Sequence, residues 1–300
     1  MPPLDPAAAA CDGLARIVDA CLAQFEVNRS GLLAGRYHPE YVHQMRVALR
    51  RLRSALGLFG GVEPALKAPP LLAEIRALAA ALGRARDLDV FVDTTLPKVL
   101  AAAAPGTALA ALAAHAGTVR RRRRLEARAV CAQPRVVALA AQLREWLAAL
   151  CAGLAADHVL RRPLAAVAPA LLGRRYRGVR RRGRRLARRS AAERHLLRIA
   201  VKKLRYATDF LGGLYADAAS RPAFAAALAE LQDLLGTLND LAVTAHVLVE
   251  LDAGEEPGAT HAAAGAQVRD CVAAHADAHL RELAEAWRGF KATPRFWTGA

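Results

Sequence analysis

A basic phrase of helical spacing that occurs twice constrains this chain more than any other feature of its 300 residues. Residues 42–56 read VHQMRVALRRLRSAL, and residues 194–208 read RHLLRIAVKKLRYAT. With His43 placed on His195, Arg46 falls on Arg198, Arg50 on Lys202, Arg51 on Lys203 and Arg53 on Arg205, all at an offset of 152. Self-similarity over that distance means a fold assembled from two like units. A second pair follows in the same order. LAAALGRARDLDVF at 78–91 parallels LQDLLGTLNDLAVT at 231–244, with Leu78 on Leu231, Gly83 on Gly236 and Asp87 on Asp240, at an offset of 153.

Both phrases belong in helices. Ala, Leu and Arg dominate, β-branched and aromatic residues are scarce, and no segment alternates apolar and polar as a strand does. Apolar periodicity and Gly/Pro breaks predict helices at 7–34, 40–59, 71–85, 88–104, 106–132 and 134–155. The second half adds 163–189, 191–217, 220–236, 239–253 and 260–290. A glycine followed four residues on by aspartate reads as a helix end and then an N-cap, which places turns at Gly83–Asp87 and Gly236–Asp240. The expected architecture is all-α: one domain over 1–300 made of two helical bundles related by an approximate twofold axis. The first repeat covers 7–132, a connector helix and loop 133–162, the second repeat 163–290 and a tail 291–300.

Charge is the next constraint. Lys and Arg number 43 against 27 Asp and Glu, a formal net charge of +16 that points to a polyanionic partner. It is clustered. On the first phrase His43, Arg46, Arg50 and Arg53 share one helix face, with Met45, Leu49, Leu52 and Leu56 opposite. On the second, His195, Arg198, Lys202 and Arg205 face away from Leu197, Val201 and Leu204. Neighbours in such a row stand about 4.5 to 6 Å apart along the axis, repel one another, and attract an anion laid between them. Arg51 and Lys203 lie off to the side. The preceding helix, LLGRRYRGVRRRGRRLARRS, sets Arg174, Arg177, Arg181, Arg184, Arg185 and Arg188 opposite Leu172, Tyr176, Val179 and Leu186, with no acid at i+4 to offset them. The run Arg120–Arg124 points all round its helix and reads in part as ordinary surface. Neighbouring cations disfavour protonation of His43 and His195 and a bound polyanion favours it, which couples anion binding to pH. Asp87, Asp89 and Asp240 read as caps that also pair with arginine and hold the cationic side chains in place.

Other chemistries find little support. Cys11, Cys21, Cys131, Cys151 and Cys271 form no C-x-x-C pair and read as reduced core residues of a cytoplasmic protein. No zinc spacing, phosphate-cradling glycine loop or H-E-x-x-H occurs, so no metal, cofactor or catalytic residue is expected. The N-terminus lacks a basic start, and the uncharged stretch 99–118 is Ala-rich and broken at Pro105-Gly106, which argues against a secretory signal and a membrane span.

In order, VHQMRVALRRLRSAL, LGRARDLDVF, RHLLRIAVKKLRYATDF and LQDLLGTLND resemble the segments of the CHAD family, the conserved histidine α-helical domain. The resemblance spans residues from about 10 to about 290. It implies two pseudo-symmetric bundles around a central basic groove or pore and inorganic polyphosphate as a ligand that is bound, not turned over, with association to polyphosphate granules. Carried over by position, the implied contacts are His43, Arg46, Arg50, Arg53, His195, Arg198, Lys202 and Arg205, with Arg51 and Lys203 as secondary ones. Arg177, Arg181, Arg184 and Arg188 are added from the helical wheel alone. Asn239-Asp240 and Ala242 depart from the Arg-Asp and Asp89 of the first half. The alternative partner is nucleic acid bound without sequence preference. Aromatics are only 5% of residues, which leaves few platforms on which bases could stack.

Overall fold

A computed structural model of the chain describes residues 3–35, 37–67, 69–102, 107–215, 218–252, 264–270 and 276–298. Side chains of residues 238–242, and with them the expected role of Asp240, lie outside the described residues, as does Cys271. Among the described residues every regular element is helical. Helices α1 (Ala10–Ala34) and α2 (Pro39–Phe59) form a hairpin. α3 (Leu72–Val90) continues through a π-helical turn (Phe91–Thr95) into α4 (Leu96–Ala102). After α5 (Thr107–Ala132) and α6 (Pro134–Ala152) come α7 (Leu164–Arg182), α8 (Ala191–Leu211) and α9 (Ser220–Asp252). A helical stretch at 264–270, α10, and α11 (Ala276–Ala292) complete the chain.

The two helices that carry the repeated phrase start on strong caps. Pro39 opens α2 behind His38, whose Nδ1 accepts from the Glu40 N–H at 3.2 Å. Ser190 and Glu193 close a reciprocal capping box on α8, with Ser190 Oγ accepting from Glu193 N–H at 3.2 Å and Glu193 Oε2 from Ser190 N–H at 2.8 Å. Their apolar faces are buried: Val42, Met45, Leu49, Leu52 and Leu56 on α2, and Leu197, Val201, Leu204 and Leu211 on α8. One core draws on both halves of the chain, and a smaller cluster gathers around Phe91, Leu112 and Val247. α2 and α8 pack directly against each other, so the two copies of the phrase meet inside this core. The starts of α1 and α7 are joined by an antiparallel bridge between Ala9 and Pro163.

Three expectations are corrected. α3 runs without a break through Gly83 and Asp87, and α9 through Gly236 and Asp240, so neither aspartate is an N-cap. Leu78, Leu82, Ala85 and Leu88 keep one buried stripe in register across the glycine, and that packing outweighs glycine's poor helix propensity. α7 ends at Arg182 rather than 189. Gly183 follows because the Trp287 ring occupies the space a side chain there would need. Arg185 then adopts φ 56°, and Leu186–Arg188 form a 3-10 turn before α8. The last segment is no loose tail: Phe296 and Trp297 are buried in an aromatic cluster with Tyr176, Phe224 and Phe290.

Candidate anion-binding site

With its apolar face in the core, α2 turns His43, Arg46 and Arg50, all half-buried, and the exposed Arg53 outward, and α3 packs beside it. Arg46 lies against Gly83 of α3, where its Nη1 stands 2.5 Å from the position a Cβ would take. Its Nη2 is 3.5 Å from Asp87 Oδ1. A carboxylate therefore stands beside this row. Burial pushes the Arg46 pKa down despite that partner, and pushes the Asp87 carboxyl up against the pull of Arg46. His43 is held below 6.5 by burial first and then by Arg86, with Arg50 and Arg46 adding to it against Glu40. The Nε atoms of Arg50 and Arg51 are buried without a hydrogen-bond partner among the described residues.

A groove of about 590 Å³ lies between α7 and α8. Arg174, Arg175, Arg177, Arg181, Arg182 and Lys203 line it with Leu196, Ile199 and Ala200, and no carboxylate is among these lining residues. Lys203 is pushed below its ordinary pKa by burial, then by Arg175, Arg182 and Arg53. Arg53 is lowered by burial and by Arg76 of α3. The charge of Arg53 thus acts on Lys203 of the groove, and that of Arg76 of α3 on Arg53. The end of α2 is shaped for this approach: Arg174 Nη1 donates to the Gly61 carbonyl at 2.5 Å, and Arg175 Nη2 comes within 3.4 Å of the Cβ position of Gly57.

The sequence-derived residues fall into several places. His43, Arg46, Arg50 and Arg53 share the outer face of α2, and Arg177, Arg181 and Lys203 share the groove. On α8, His195 is exposed in the second turn, while Arg198, Lys202 and Arg205 are half-buried further along. Arg184 and Arg188 are exposed on the connection beyond α7, not among the groove residues. Arg51 points elsewhere, its guanidinium 5.8 Å from the centre of the Phe210 ring. Four cations enter that the wheels did not select, Arg175 and Arg182 in the groove and Arg76 and Arg86 on α3, and Arg174, already on the basic face of its helix, joins the groove. The density of RRYRGVRRR was the available signal; which of its arginines face α8 depends on the packing of the two helices.

The arginine run on α5 is ordinary surface only in part. Arg120 pairs with Asp93 at 2.5 Å, and Arg123 with Glu250 at 2.5 Å and Glu126 at 2.7 Å. Arg124 pairs at 2.6 Å with the fully buried Asp89, which also accepts from the Tyr37 hydroxyl at 2.8 Å. The Arg124 guanidinium covers the Tyr37 ring at 4.6 Å. Only Arg121 and Arg122 of the run are exposed. These pairs tie α5 to the π-turn, α3 and α9. Asp89 is a structural carboxylate, not a cap.

Among the described residues no group of three or more His, Cys, Asp or Glu could hold a metal, and no helix is long and apolar enough to cross a membrane.

Comparison with known proteins agrees with the all-helical fold. The CHAD domain model matches residues 16–249. The crystal structure of the CHAD domain from the plant Ricinus communis is similar at 32% identity with a TM-score of 0.84, covering 98% of this chain and 96% of that one. PptA from Streptomyces chartreusis shares the fold at 16% identity and a TM-score of 0.62, over 94% of this chain and 100% of that one. No curated protein matches. On the family match and the Ricinus structure together, the chain belongs to the CHAD domain family.

Proposed function

We propose that this protein binds inorganic polyphosphate along the cations carried by α2, α3, α7 and α8, and performs no chemistry on it. The CHAD family is linked in general to polyphosphate binding or metabolism. The observation that carries the finer reading is the α7–α8 groove, whose six lining cations have no lining carboxylate, with Arg53 of α2 acting electrostatically on Lys203. Arginine and lysine recognise phosphoryl oxygens by charge-assisted hydrogen bonds, and arginine can do so bidentately. A flexible chain of about one charge per residue suits a curved row of point charges, and nothing in the row reads a base. Binding at polyphosphate granules in the cytoplasm follows from this reading.

Nucleic acid is the competing ligand, since a basic surface holds any polyanion by counterion release. The groove walls offer Leu196, Ile199 and Ala200 but no aromatic side chain. That favours polyphosphate, because single-stranded binders stack bases on rings. An enzymatic reading needs a metal held by carboxylates near the phosphates, and Asp87 is committed to Arg46.

Competition tests both points. Long-chain polyphosphate should displace bound single-stranded DNA at a far lower phosphate concentration than the reverse, with no orthophosphate released during incubation with Mg²⁺ or Mn²⁺. Equal displacement would favour the nucleic-acid reading, and release of phosphate would make the protein an enzyme.

A further inference from the structure

α7 carries cations on the side away from the groove as well. At about 100° per residue, the groove residues of α7 lie between about 100° and 260° round the helix from Tyr176, while Arg180 lies at about 40°. That other side borders a cavity of about 470 Å³, whose far wall is the end of α11 and the segment after it. Arg180, Lys291 and Arg295 line it with Tyr176, Thr293 and Thr298, and no carboxylate is among the lining residues. No salt bridge joins any of these three cations to an acid among the described residues. The two arginines converge on one ring, each guanidinium 5.6 Å from the centre of Tyr176. Arg180 Nη1 also donates to the Tyr176 hydroxyl at 2.7 Å, which leaves that hydroxyl its own proton to donate. The ring is held in place: it is 7% exposed and packs on Phe224, Phe290 and Trp297. Arg295 is anchored by the buried Phe296 and Trp297 that follow it, and its carbonyl accepts from Thr298 Oγ1 at 3.0 Å. Three cations gathered at one cavity by this packing repel one another, and an anion among them removes that repulsion.

The geometry points to a second anion site, separate from the groove, that takes a short inorganic phosphate of two or three phosphoryl groups. The cavity has the volume of a small-molecule site. Arg180 and Arg295 present planar forks to phosphoryl oxygens, Lys291 adds a point charge, and the Tyr176 hydroxyl adds a neutral donor. Three positive charges suit the several negative charges of a di- or triphosphate. The one ring at the cavity is too deeply buried for a base to stack on, which disfavours a nucleotide. The site stands apart from the polyphosphate reading, because the cavity and the groove share no lining residue. With both occupied, long and short phosphates lie on opposite sides of α7.

The test is calorimetric titration at fixed low salt with pyrophosphate and tripolyphosphate. It uses a groove-disabled protein, Arg177→Ala/Arg181→Ala/Lys203→Ala, so that uptake by the groove does not mask the cavity. That protein should bind one tripolyphosphate, and pyrophosphate more weakly. Adding Arg180→Gln/Arg295→Gln should weaken this binding at least tenfold with native helicity kept. Lys291→Gln, at an exposed position, should weaken it at least threefold, and Tyr176→Phe, which keeps the packed ring, several-fold. A groove-disabled protein that binds no tripolyphosphate, or whose binding survives both Arg180→Gln/Arg295→Gln and Lys291→Gln, overturns the inference. A parallel titration with long-chain polyphosphate separates the two readings. In an otherwise wild-type chain, Arg180→Gln/Arg295→Gln should keep long-chain affinity within threefold, and a tenfold loss would make the cavity part of the groove's path and overturn the inference. Wild type that fails to bind long chains, while the tripolyphosphate ordering holds, overturns the polyphosphate reading and supports the cavity.

Discussion

The Arg46 guanidinium meets Gly83 on the neighbouring helix end-on, its Nη1 2.5 Å from the position a Cβ would take, with Asp87 one turn further along at 3.5 Å. A glycine that reads in sequence as a helix end is instead a shelf for an arginine side chain. Its repeat counterpart Gly236 has no described atom within 4 Å of the Cβ position. The two glycines should therefore respond differently. Gly83→Ala places a methyl against Arg46 Nη1 and should lower polyphosphate affinity several-fold while helicity is retained. Gly236→Ala should raise stability by up to about 1 kcal/mol through helix propensity. Paired titration and urea denaturation of the two variants check this.

His43 should make binding pH-dependent. Burial and Arg86 keep its pKa below 6.5 in the ligand-free protein, and a bound anion raises it. Affinity should increase as pH falls from about 8 towards 5.5, with uptake of a proton on binding. Folding stability moves the other way, because the unfolded chain takes up the proton first. The contribution of His43 is complete above 6.5 and is lost as pH falls through the depressed folded value. Titrations in buffers of different ionisation enthalpy should show the proton uptake shrink in His43→Gln.

Asp89 is fully buried and holds Arg124 and Tyr37. Asp89→Ala should destabilise by about 3 kcal/mol, the low end for breaking a buried pair, because Arg124 keeps the Tyr37 ring and some water. The Tyr37 hydroxyl, raised well above its ordinary pKa by burial and by Asp89, should titrate at lower pH in that variant. Denaturation curves and ultraviolet pH titration read the two effects.

The C-terminal aromatics carry stability although they lie beyond the last helix. Trp297 is 4% exposed and packs edge-on against Phe224 at 5.1 Å and Tyr176 at 5.9 Å. Trp297→Ala should cost about 3 to 5 kcal/mol. A fall in the denaturation midpoint without loss of polyphosphate binding at low temperature would separate this role from the site.

Much of the fold was legible because helical periodicity is strong in an Ala- and Leu-rich chain. The all-helical class, the long α1, α2 and α5, and the burial of Met45, Leu49 and Leu52 all follow from spacing. Local punctuation misled at Gly83, because a glycine set by a crossing arginine has the same one-letter signature as a helix end, and at Gly236, where α9 runs on with no described atom against the glycine. The α2 row was readable because its face is opposite an apolar stripe on the same helix. The groove was not: Arg175, Arg182 and Lys203 come together only through the α7–α8 packing, and Arg53 joins them from a third helix. Asp89, Asp93 and Glu250 neutralise the arginines of α5 from distant segments, so the run 120–124 could not be read from its own composition.

The central claim is that Arg53 and Lys203, from different halves of the chain, contact one phosphate path. Titration of wild type and Arg53→Ala/Lys203→Ala with polyphosphates of graded length at several salt concentrations tests it most directly. The account predicts at least a tenfold loss for long chains, a smaller loss for short ones, and a shallower salt dependence by about 1.5 in log–log slope. Unchanged affinity and slope at every chain length would contradict it.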